Sequence, residues 1–199
     1  MRVHMTSRPK HTTKPLRIGF DFDGVVAYNP LRVVRGPITY IKRHIFKKKK
    51  TEFHIPTSSL MKFIFWFPHQ CSFFPGHGIR LLTKLVSEGK IEAYIVSGRY
   101  GYLDAQIPAW LKERGLSKTF TAIYANANNE QPHVFKERTL NQLHLDYFIE
   151  DNFDIVEHLA KRTQTKIYWI YNIFDRHQPY HYKFASIHEI LLSIFPNKK

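Results

Sequence analysis

An apolar run carrying Leu16, Ile18 and Phe20 stops at Asp21-Phe22-Asp23-Gly24, which sets two carboxylates two residues apart and then a glycine. Residues i and i+2 of a strand project to the same side, so Asp21 and Asp23 can converge on one ion or one reacting atom where the strand ends. Gly24 lets the chain turn sharply away. The end of a buried parallel strand is where such a sheet places its chemistry. The same Asp-x-Asp spacing also occurs in metal-dependent glycosyltransferases, in calcium loops and as a plain acidic loop after a strand, so this motif alone leaves the chemistry open.

Three further segments narrow it. Ala93-Tyr94-Ile95-Val96-Ser97-Gly98-Arg99 is a second buried-strand signal, ending in a hydroxyl, a glycine and a guanidinium, groups that bind phosphate. Phe148-Ile149 runs into Glu150-Asp151-Asn152, two acids and an amide. Between them Lys136 lies in a polar stretch suited to opening a helix. Singly, Ser97 reads as a turn residue and Lys136, with Arg138 two residues on, as a solvated helix residue. The ordered set of Asp-x-Asp, Ser, Lys and an acidic pair is far more specific than any one member.

In that order the segments resemble the four motifs of the haloacid dehalogenase superfamily, over residues 16–27 and 76–175. Asp21-Phe22-Asp23-Gly24 is similar to the first motif, Ser97 to the second, Lys136 to the third and Glu150-Asp151 to the fourth. The resemblance implies a magnesium-dependent phosphatase. Asp21 would be the nucleophile that forms an aspartyl-phosphate, and Asp23 the acid that protonates the leaving oxygen and then activates water. Magnesium (Mg2+) would be held by the Asp21 carboxylate, the Asp23 backbone carbonyl and the Asp151 carboxylate, with Ser97, Gly98 and Lys136 on the transferring oxygens. Glu150 stands where the commoner pattern has aspartate, and its longer arm places it behind Asp151, the direct ligand. Around these, Asp154 either orients a water at the metal or is an exposed acid at a helix N-terminus. Asn152 either touches substrate or caps that helix, and Arg99 either reaches phosphate or pairs with an acid.

The rest of the chain reads as alternating strands and helices. Strands are expected at Leu16–Phe22, Glu92–Val96, Phe120–Tyr124, Tyr147–Ile149 and Ile167–Tyr171. Helical patterns run from Ile79 to a stop at Gly89, from Leu103 to Arg114 before Gly115, from Lys136 to His144, from Asp154 to Arg162 and from Ile187 to Phe195. Such alternation predicts an α/β fold, a parallel five-stranded Rossmann-like sheet with helices on both faces. The resemblance adds strand order 3-2-1-4-5 and a small helical cap inserted after strand one. Under that order strands one, two and four are adjacent, and Asp21, Ser97 and Asp151 meet in one crevice.

The domain plan is a basic tail without fixed structure at 1–15, a core at 16–27 and 75–199, and a cap insertion at 28–74. At 199 residues with 43% hydrophobic content, the chain suits one globular domain with an insertion. Cys71 is its only cysteine, which rules out an intrachain disulfide and a cysteine-rich zinc site and suits a reducing, cytoplasmic compartment. The twelve histidines show no metal-binding spacing. The first fifteen residues lack the apolar core of a secretory signal, and Pro9 and Pro15 oppose an amphipathic transit helix. No apolar run reaches the about 20 residues a spanning helix needs; Phe63-Ile64-Phe65-Trp66-Phe67 is stopped by Pro68.

Charge is concentrated in the first part of the chain. Of the net +14, residues 1–75 carry +11, and two of their three acids are Asp21 and Asp23. Such a field favours anionic partners. Lys42, Arg43, Lys47, Lys48, Lys49 and Lys50 surround Ile38, Ile41 and Ile45 at helical spacing. That cluster reads as a solvated cap helix, as a lid drawing in a small phosphorylated substrate, or as a surface for an anionic membrane or nucleic acid. The resemblance implies a phosphomonoester hydrolase. The compact insertion and Glu150-Asp151-Asn152 are similar to deoxyribonucleotidase-like members, which implies a nucleotide or another small phosphate ester. The competing class is a non-catalytic protein of the same fold that docks on membrane or RNA through its basic segment.

Overall fold

The computed structural model describes residues 14–30, 58–60, 63, 72–103 and 105–196. The basic cluster at Lys42, Arg43 and Lys47 to Lys50, most of the predicted cap and the tail through residue 13 lie outside them.

Alternation of apolar side chains builds the sheet. In β1 (Leu16–Phe20), Ile18 and Phe20 face one core, and between them Gly19 lies against Leu145 and Phe148 of the other layer. In β4 (Ile91–Tyr100), Ala93 and Ile95 join the first core while Tyr94 and Val96 join the second. The same division holds in β6 (Tyr147–Glu150), with Ile149 against Phe148, and in β7 (Lys166–Ile170), with Tyr168 and Ile170 against Ile167 and Trp169. Strands buried on both faces in this way must be covered by helices on both sides.

Those helices are α1 (Ile79–Ser87), α2 (Gln106–Glu113) and α5 (Ile187–Ile194) on the first face, and α3 (Pro132–Leu143) and α4 (Phe153–Arg162) on the second. Their ends follow local chemistry. Pro132 opens α3, where its missing N–H costs nothing, and His144 closes it in the left-handed region at φ 49°. Ser186 caps α5, its side chain accepting from the Glu189 N–H.

The strand order is β5-β4-β1-β6-β7-β8, with β5 at Ala122–Asn126 and β8 at Lys183–Phe184, and every pairing in it is parallel. The first five reproduce the expected order 3-2-1-4-5. The sixth, β8, adds two residues at the edge of β7, too short a segment to show a period in sequence. A second difference lies in β4, which runs on to Tyr100 rather than ending at Val96, and it shifts register against β5 between Ser97 and Tyr100. The expected helix from Leu103 correspondingly starts later, at Gln106, after a single tight turn at Gly101–Leu103.

A two-stranded antiparallel pair joins β2 (Ala27–Tyr28) to β3 (Phe74–Pro75). The Trp110 indole N–H donates to the Ser72 carbonyl at 2.6 Å and the Arg114 guanidinium to the Phe73 carbonyl at 2.9 Å, so α2 holds the returning segment down. Among the described residues no helix is long and apolar enough to cross a membrane.

Candidate active site

β1, β4 and β6 end side by side at the carboxyl edge of the sheet. The Asp21 N–H donates to the Ile149 carbonyl at 2.9 Å, which fixes where β1 stops relative to β6. The chain then folds into a tight loop: the Gly24 N–H donates to the Ala27 carbonyl and the Ala27 N–H to the Phe22 carbonyl, both at 2.8 Å. Gly24 adopts φ 84°, and a Cβ built on it would lie 2.1 Å from Asp151 Oδ2. Only glycine satisfies both conditions, since the left-handed region disfavours a side chain and the Asp151 carboxylate occupies its space.

Asp21, Glu150 and Asp151 are all buried and each brings a carboxylate oxygen within 4.8 Å of the others. Lys136, from the second turn of α3, reaches into this group. Its Nζ lies 2.6 Å from Glu150 Oε2 and 3.0 Å from Asp21 Oδ1, and its side chain is only 2% exposed. Asp21 Oδ1 also accepts from the Phe22 N–H at 2.8 Å. Glu150 has both oxygens engaged: Oε2 by Lys136 and Oε1 by the Asn152 N–H at 3.0 Å. Asp151 is held from behind, its carbonyl accepting from the Trp169 indole at 3.3 Å.

Electrostatics follow from this crowding. Burial and the neighbouring Glu150 push the Asp21 carboxyl well above the usual carboxylate range, and Lys136 offsets them only in part. Burial works against the Lys136 ammonium, yet Asp21 and Glu150 outweigh it and hold its pKa above the ordinary lysine value. Among the described residues, three acidic side chains converge around Lys136 and present hard oxygen donors to one point. That donor set fits a divalent magnesium ion.

The other predicted residues take definite places. Ser97 is buried at the end of β4, and its Oγ accepts from the Arg99 N–H at 3.2 Å. Gly98 lies against the start of α3, where an added Cβ would stand 2.9 Å from Pro132 Cβ. Asn152 caps α4, accepting from the Asp154 N–H at 3.1 Å. Asp154, in the first turn of α4, is buried rather than exposed. Asp23 does not join the three-carboxylate group. Its carboxylate pairs with Arg99, whose Nε donates to Oδ2 and Nη2 to Oδ1, both at 2.7 Å. Of the two readings of Arg99, the acid pair is the one formed. Ser72 and Gln106 complete this corner, and neither carries a sequence signal: Ser72 sits in a featureless return segment and Gln106 in an ordinary helical pattern.

No protein-family model and no curated protein matches the chain. Solved structures do. CbbY from Rhodobacter sphaeroides, in complex with phosphate, is 14% identical, with a TM-score of 0.58 over 88% of this chain and 96% of that one. A CbbY mutant from the same organism, in complex with xylulose-1,5-bisphosphate, gives a TM-score of 0.57 at 14% identity over 87% of this chain and 95% of that one. A haloacid dehalogenase-like hydrolase from Streptococcus pneumoniae gives a TM-score of 0.57 at 12% identity, over 91% of this chain and 99% of that one. At these identities the likeness is one of fold: the chain has the architecture of the haloacid dehalogenase superfamily hydrolases.

Proposed function

We propose that the protein is a magnesium-dependent phosphomonoester hydrolase with Asp21 as its nucleophile. One observation carries the reading: at the carboxyl edge of a parallel sheet, Asp21 is buried 3.0 Å from Lys136 within a carboxylate group that includes Asp151. The ligands in the CbbY structures, a phosphate and a sugar bisphosphate, support a small phosphate ester as substrate.

In this mechanism an Asp21 carboxylate oxygen attacks phosphorus, the phosphorus–oxygen ester bond breaks, and the leaving oxygen takes a proton from Asp23. The product is an aspartyl-phosphate and the free alcohol. Asp23, now ionised, removes a proton from water, whose oxygen attacks the same phosphorus. The Asp21–phosphorus bond breaks and inorganic phosphate leaves with Asp21 restored. Lys136 holds the nucleophile in place and offsets charge on the transferring oxygens, while the Ser97 hydroxyl and the Gly98 N–H donate to those oxygens. Asp21, the Asp23 carbonyl and Asp151 are the residues that would hold magnesium, which would supply charge neutralisation for an approaching anion.

A panel of phosphate esters, including nucleoside monophosphates and sugar phosphates, assayed with magnesium and with chelator, tests the reading. We expect magnesium-dependent release of phosphate that falls to background in Asp21→Asn, with an unchanged melting temperature. Turnover retained in that variant refutes the covalent route.

A further inference from the structure

Two carboxylates two residues apart are handed to two different cations. Asp21 goes to Lys136, while Asp23 goes to Arg99 through a two-point fork and also accepts from Ser72 Oγ at 2.9 Å. The guanidinium is itself fixed on several sides. Its side chain is 3% exposed, it lies 4.7 Å over the Phe22 ring, and Nη1 donates to Gln106 Oε1 at 3.2 Å from the first residue of α2. The register shift between Ser97 and Tyr100 is the backbone feature that accompanies this placement, since an irregular strand end re-aims a side chain.

An ion pair with one member buried and the other 14% exposed adds little to stability once desolvation is counted, so stability alone is a poor account of this arrangement. What a fork does well is remove freedom: the two parallel bonds hold the plane of the carboxylate, so the group keeps one orientation at the edge of the site. We propose that Arg99 is a positioning residue for proton transfer by Asp23, with Gln106 and Phe22 holding the guanidinium in register. This rests on the phosphatase reading above. Arg99 acts on the step in which the leaving oxygen is protonated and has no part in binding the phosphoryl group.

The role makes a claim that neither a structural nor a phosphate-binding arginine makes. An alkyl phosphate expels a strongly basic oxygen and needs the proton; 4-nitrophenyl phosphate expels a weakly basic one and does not. The ratio kcat/KM covers the steps up to release of the alcohol, so the difference appears there. For Arg99→Ala we expect kcat/KM to fall about 100-fold on the alkyl ester, within the usual range for general acid catalysis, and less than about tenfold on 4-nitrophenyl phosphate. Arg99→Lys, which keeps the charge but loses the fork, recovers part of the loss on the alkyl ester. Gln106→Ala, a milder change, shows a smaller loss with the same dependence on the ester. Should Arg99→Ala fail to fold, those two variants carry the test. Equal losses on both esters overturn the proposal and leave the phosphatase reading standing. Wild-type protein that hydrolyses neither ester overturns both.

Discussion

Lys136→Met isolates the charge balance of the site. The ammonium is almost fully enclosed between Asp21 and Glu150, and methionine keeps most of the volume of the stem while removing the charge. Three buried carboxylates then face one another without that ammonium. Removing one partner of a buried pair costs about 3–5 kcal/mol. For a chain of this size each kcal/mol lowers the melting temperature by about 2–4 °C, so a drop of about 6–20 °C is expected in chelator at neutral pH. On the proposed function magnesium would bind the folded state and restore the missing positive charge, so its addition should raise the melting temperature of the variant more than that of the wild type. Acid acts in the same direction. The Asp21 carboxyl is pushed up by burial and Glu150, so in the absence of metal it favours the folded state when protonated, and that contribution is lost as pH rises through its folded pKa. The deficit of the variant should therefore shrink as pH is lowered. Adding Glu150→Gln to Lys136→Met removes one of the opposed charges and should recover part of the loss. Thermal melts with and without magnesium decide the matter. A variant that melts within about 2 °C of the wild type in chelator, or a loss that magnesium and Glu150→Gln both leave untouched, refutes the charge argument.

Gly24→Ala should displace the Asp151 carboxylate that its Cβ would meet at 2.1 Å and weaken magnesium affinity about 10-fold or more, which a magnesium titration checks. Asp151→Ala should weaken magnesium affinity more than Glu150→Ala, because both Glu150 oxygens already serve Lys136 and the Asn152 N–H; the reverse order in the same titration moves the ligand to Glu150. The Tyr180 phenol is pushed up to about 12 by burial and by Tyr182, and its O–H donates to the Ile167 carbonyl at 3.0 Å. A raised phenol pKa stabilises the fold below the ordinary tyrosine value of 10.0 and loses that contribution as pH rises towards about 12, so the stability gap between wild type and Tyr180→Phe should close across that window in urea unfolding.

Strand positions were legible because burial on two faces leaves a local record. The apolar residues of Ile18 to Phe20, Ala93 to Val96 and Phe148 to Ile149 stop where Asp21, Ser97 and Glu150 begin, and that boundary is written in consecutive residues. The motifs, in their order, also carried the strand order, since the resemblance they support implies it. Other features needed the tertiary structure. Lys136 occupies a helix position that looks the same in sequence whether it faces water or core; only the packing of α3 over β4 and β5 brings its ammonium to Asp21 and Glu150. Arg99 had two partners open to it, and the choice of Asp23, 76 residues away, depends on how the irregular end of β4 meets the loop after β1. Glu150 and Asp151 are neighbours of the same charge, yet one is saturated by Lys136 and a backbone N–H while the other faces Gly24. Local periodicity decides which residues are buried. Partner choice among buried charges is settled by contacts far apart in the chain, and so by the fold.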